Sequence, residues 1–186
     1  MSTLRFDFTQ GATRADIERQ LCVQLGDVAW AQLEEQAGRA GVPNRHHHGI
    51  VEVNSTIDAL DPAAVPQAVR EDMRAVYGIL ARAEAQVHGC EVEKTHFHEV
   101  GEGERIRNTL LICLAMRACG ADSIEATCVQ TGSGQVECAH GLMDIPAPAT
   151  AASLATGIPV CAEKLPGELC TPTSAAIIKH FVDSSQ

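Results

Sequence analysis

"PQAVREDMRAVYGILARAEAQVHG", residues 66–89, decides how this chain folds. Val69, Met73, Val76, Leu80, Ala83 and Val87 recur at steps of four and three, which is the repeat of one buried face of an α-helix. Gly89 stands where such a helix would end. A long helix with one apolar face needs other elements to cover it, and the rest of the chain offers them on both sides.

Upstream, "LRFDF" (4–8) places Leu4, Phe6 and Phe8 on one face of a short strand. Thr13 followed by Asp16 has the form of a helix cap, and Ile17, Leu21 and Leu25 make a stripe that stops at Gly26. A second helix runs from Asp27 through Trp30 and Leu33. "GRAGVPNRHHHG" (38–49) reads as loop from its glycines and proline. Downstream, Ile106, Leu110, Cys113 and Leu114 mark a helix ending at Gly120, and "SIEATCV" alternates as a strand does. "QTGSGQ" reads as a glycine-rich turn, "DIPAPATAASLATG" as loop then short helix, and "IPVCAE" as a strand. "TPTSAAIIKHF" reads as a final helix capped by Thr171 with Pro172 in its first turn. Strands alternating with helices predict an α/β fold: one layered domain over residues 1–186, with helices packed on a small mixed sheet.

Composition narrows the function classes. The 186 residues are 45% hydrophobic and 20% charged, which suits a globular domain. Aromatic residues are only 3%, so aliphatic side chains must build the core. A formal net charge of -10 argues against a nucleic-acid or anionic-membrane surface, each of which needs concentrated Lys and Arg. No apolar run is long enough to span a bilayer, and "MSTLRFDFTQ" lacks the apolar stretch of a signal peptide. Eight cysteines contain no C-x-x-C pair. They read as reduced, mostly buried thiols of a cytoplasmic protein rather than a zinc ribbon or disulfide scaffold.

Two histidine clusters carry the chemistry. In "THFHEVG" (95–101) an extended backbone puts His96 and His98 on one face, with Glu99 beside them. His46, His47 and His48 form the second cluster, ahead of the long helix. Neutral imidazoles with a carboxylate suit nickel, zinc or copper. Acid–base work by His96 or His98 is the competing chemistry, and a hydrolase using a metal-activated water is a third. His88 falls at the negative end of the long helix, His180 reads as a surface residue, and His140 is left open. Two stretches suit a phosphate: Gly132, Ser133 and Gly134 with bare backbone N–H groups, and Thr171, Thr173 and Ser174 at a helix start. A plain turn and an ordinary cap are the alternatives.

"ILARAEAQVHGCEVEKTHFHEVG", "HGLMDIPAPAT" and "GELCTPTSAAII", in this order, resemble the N-terminal half of the LarC family over roughly residues 45–182. That family inserts nickel into the pyridinium bis-thiocarboxylate mononucleotide (nickel-pincer) cofactor of lactate racemase. The resemblance implies a nickel insertase or chelatase of the lyase class, with nickel handled at His96, His98, Glu99 and the 46–48 run. It implies the mononucleotide as substrate and CTP only through a domain outside this chain, which a separate C-terminal LarC-like chain would supply. A homo-oligomer is a further expected partnership. The family's A-x-D-S-I-x-D after "HFHEVG" is altered, with Glu104, Arg105 and Asn108 at three of its positions. If Arg105 faces the ion it would oppose it, and a paralogue binding a nucleotide-like ligand or a partner protein without insertion is then the alternative function.

Overall fold

The computed structural model describes residues 2–138 and 141–183, so His140 lies outside the described residues. Strand β1 (Thr3–Phe6) leads to helices α1 (Arg14–Leu25), α2 (Asp27–Arg39), α3 (Ile50–Ala59) and α4 (Gln67–His88). Helix α5 (Gly103–Ala118) then precedes strands β2 (Ser123–Ala126), β3 (Gly132–Ser133), β4 (Gln135–Cys138) and β5 (Gly141–Asp144). Helix α6 (Pro148–Leu154), strand β6 (Gly167–Glu168) and helix α7 (Pro172–Asp183) complete it.

The long apolar stripe makes α4 the centre of the molecule. Its neighbours are α3, α5, α6 and α7, and Met73, Val76, Tyr77 and Leu80 have no exposed surface. Gly89 ends it in the left-handed conformation. Val87, at the last position of the predicted stripe, is 40% exposed because the end of α4 runs past the core and lines a cavity instead. Thr13 caps α1 through a full capping box with Asp16. Thr171 accepts from the Ser174 N–H at 3.3 Å and so caps α7, as the sequence predicts.

The α/β class holds, and the sheet is small in an unexpected way. Among the described residues it is three separate two-stranded ladders: β1 with β2 in parallel, β3 with β6 and β4 with β5 antiparallel. Three local readings need correction. Part of the loop expected over 38–49 is the end of α2, and the helix α3 that follows it buries Ile50, Val53 and Ile57 at steps of three and four. The expected "QTGSGQ" turn is instead strand β3 followed by β4. Gly132 lies so close to the Gly167 carbonyl that a Cβ would overlap it, which is why a glycine stands there. The expected strand "IPVCAE" is reduced to one bridge, Val129 with Val160.

That bridge overturns the cysteine reading as well. It brings Cys128 and Cys161 to a Cα–Cα distance of 5.0 Å, and the two are joined as a disulfide. Of the other six, only Cys113 and Cys170 are buried, while Cys90 is exposed. Sequence spacing missed the pair because it spans 33 positions and is made by tertiary pairing. His180 is not a surface residue either: its Nε2 lies 2.8 Å from Asp72 Oδ1, and the Asp72 carboxylate also accepts from Arg117, at 2.6 Å on Oδ2 and 2.7 Å on Oδ1. No helix among the described residues is long and apolar enough to cross a membrane.

Candidate metal centre

Both histidine segments are extended and lie side by side. The Gly103 N–H donates to the Arg45 carbonyl at 2.9 Å, the His47 N–H to Gly101 at 2.8 Å, and the Phe97 N–H to His48 at 2.8 Å. This short zipper needs bare backbone on one side. A Cβ on Gly101 would overlap the His47 carbonyl, and one on Gly103 the Pro43 carbonyl.

Alternation along each segment then sorts the side chains. His47 and Phe97 point inward with no exposed surface, and Phe97 packs 6.0 Å from the Tyr77 ring of α4. His46, His48 and His96 point outward. One donor atom from each of these three lies within 4.8 Å of the other two, and they are the one such group of three among the described residues. Ring centroids are 4.8 Å apart for His46–His48, 5.4 Å for His48–His96 and 6.0 Å for His46–His96.

The partners of these rings favour coordination. His46 Nδ1 lies 3.1 Å from Glu102 Oε1. With Nδ1–H donated to that carboxylate, Nε2 keeps its lone pair for an ion, the arrangement that orients metal-bound imidazoles. Ligand nitrogens about 2 Å from one ion sit about 3 Å from each other, so side-chain rotation of roughly 1 Å would close the cluster. Glu52 accepts the His48 N–H at 3.1 Å, and this bond first, with the neighbouring positive charges, holds its carboxyl below the usual range.

The remaining predicted ligands are placed elsewhere. His47 is held at both nitrogens, Nδ1 at 3.0 Å from the Gly101 carbonyl and Nε2 at 2.9 Å from Thr56 Oγ1. It is a structural residue of the zipper and not part of the outward cluster. Glu99 turns away to Arg105, 3.6 Å from its guanidinium. Arg105 is therefore balanced by an acid outside the cluster. His98 meets His96 ring to ring at 4.8 Å and also lines a cavity of about 180 Å³.

That cavity also receives Glu99, Arg105, Glu168, Thr171 and Thr173. Burial, then the nearby Glu99 charge, pushes the Glu168 carboxyl up, with Arg105 opposing. Ser174 is buried and bonded to Thr171 at 3.0 Å. Gly132, Ser133 and Gly134 are outside the cavity. The Gly132 N–H donates to Gln130 Oε1 at 3.0 Å and the Ser133 hydroxyl to the Leu165 carbonyl at 3.0 Å, so these two are occupied by the fold. Sequence reasoning did not find Glu102 as a partner of His46. The contact crosses 56 positions, and nothing local signals it.

A model of the family described as "Nickel insertion protein" matches residues 9–186, which extends the resemblance upstream of residue 45. The pyridinium-3,5-bisthiocarboxylic acid mononucleotide nickel insertion protein of Staphylococcus saprophyticus is 39% identical over 134 residues, 72% of this chain and 34% of that protein. Proteins of the same name from Staphylococcus epidermidis and Geobacillus kaustophilus are 37% and 34% identical over 141 and 150 residues. Those matches cover 76% and 81% of this chain, and 34% and 36% of the two relatives. The chain thus spans about a third of the length of the curated relatives it matches. No solved structure matches it.

Proposed function

The chain belongs to the nickel insertion protein family, and from that premise we propose that it binds nickel at His46, His48 and His96 and delivers it to the pyridinium bis-thiocarboxylate mononucleotide. The convergence of three imidazole donors within 4.8 Å, from segments about 50 positions apart, carries the reading. Imidazole suits nickel, and the two thiocarboxylate sulfurs are softer donors that form stronger bonds to it. An exposed site with three weakly held ligands favours release by exchanging one donor at a time. His48 and His96 are both exposed, which gives the ion that access. The 180 Å³ cavity beside the cluster is smaller than the roughly 300–1,000 Å³ of whole small-molecule sites, so it takes part of the mononucleotide. Arg105 and the start of α7 at Thr171 and Thr173 are the donors on its wall available to a phosphate.

Calorimetric titration with nickel tests the site. The parent is expected to bind one equivalent, and His46→Ala/His96→Ala to lose it. Equal binding by both proteins would place any nickel elsewhere and refute the assignment.

A further inference from the structure

We infer that His98 is a relay that passes the ion from the three-histidine cluster into the cavity; this rests on reading the cluster as a nickel site. His98 is the histidine common to both places. Its ring meets His96 edge-on at 4.8 Å, and it also lines the cavity wall, which His46, His48 and His96 do not. The backbone explains this double position. Phe97 is anchored in the core, and at His98 the chain leaves the zipper for the 3₁₀ turn Glu99–Gly101, which carries the ring towards the cavity.

The cavity offers a destination suited to nickel. Cys138 and Met143 lie on its wall with their sulfur atoms 3.1 Å apart, and soft donors of this kind favour nickel over magnesium or calcium. Arg105, the cation on that wall, is paired with Glu99. An ion crossing from cluster to cavity without returning to bulk water needs a donor between the two, and His98 is placed to be it. The step changes coordination bonds only. The nickel–His96 bond breaks as the nickel–His98 bond forms, the bonds to His46 and His48 are exchanged for water ligands, and the bond to His98 yields in turn to a sulfur of the mononucleotide. Nickel stays divalent, and the ionised thiocarboxylates bring no proton to be removed.

Two variants separate relay from packing. His98→Phe keeps a ring against His96 and removes the donor, whereas His98→Met restores a donor without the ring. Each nickel-loaded protein is mixed with the pyridinium bis-thiocarboxylate mononucleotide, and transfer is followed by nickel–sulfur absorbance. A second run uses EDTA, which takes nickel from the exposed face of the cluster. His98→Phe is expected to bind nickel as tightly as the parent and to lose it to EDTA at the same rate. Its transfer to the mononucleotide is expected to slow by about tenfold or more, the range seen when an ordered coordination partner is lost, and His98→Met to recover most of that. Parent-rate transfer by His98→Phe overturns the relay and leaves the nickel site standing. Loss of nickel affinity in His98→Phe also overturns it, because His98 would then be a ligand of the cluster. A parent that holds nickel but delivers none to the mononucleotide overturns it too. A parent that holds no nickel removes the site and the relay together.

Discussion

Glu102 shows what one residue does here. It is the C-cap of the 3₁₀ turn that ends "HFHEVG", and its carboxylate reaches back across the zipper to His46. Its effect is to choose which imidazole nitrogen is available. Glu102→Ala leaves His46 free to turn, and nickel affinity is expected to fall by about tenfold, measured by calorimetry, with no large change in stability. His47 makes the opposite case. In sequence it is the middle of three identical residues, yet pleating gives it the core while its neighbours face solvent. His47→Ala should cost about 2–4 kcal/mol in a urea melt, since it removes a packed ring and takes the imidazole partner from the Thr56 hydroxyl, while the Gly101 carbonyl keeps the backbone N–H of residue 47. A variant as stable as the parent would refute the structural role.

At the scale of elements, the zipper and the helix packing can each be tested. Gly101 lets the strand carrying His96 approach the one carrying His46 and His48. Gly101→Ala would push the His47 carbonyl away and part the two segments, with an expected cost of about 1–3 kcal/mol and a loss of nickel binding. Nickel binding at parent affinity would show that the zipper does not set the site. Helices α4, α5 and α7 are joined at Asp72, which is buried and accepts from Arg117 and His180. Burial raises its carboxyl pKa, but the bonds from His180 and Arg117 outweigh it, so the folded value lies below the ordinary 3.8. The stabilisation is therefore complete above the unfolded value and is lost as pH falls through the lowered folded value. Arg117 is half exposed, so its share is screened by water. Asp72→Asn is expected to be less stable than the parent near neutral pH by about 2 kcal/mol, and the two urea stabilities to converge below about pH 4. A constant gap down to pH 3 would refute this sign.

For the whole molecule, the proposed ion site would tie segments 46–48 and 96, one on each side of α4 in the sequence. Nickel bound only to the folded form should then stabilise all of it, by about 2.7 kcal/mol at a hundredfold excess over Kd. A rise in Tm in the parent that is absent from His46→Ala/His96→Ala would confirm the coupling. The central helix, the caps of α1 and α7 and the first strand could all be read in the sequence. Each depends on periodicity or on neighbours within a few positions, where residue type alone sets the local geometry. The choice of His46, His48 and His96 over His47 and Glu99 could not be read there. Nor could the Glu102 partner, the Cys128–Cys161 bridge or the burial of His180. These depend on which segments meet, and the core decided that by burying Phe97 against Tyr77 and so bringing two distant strands of histidine into one register.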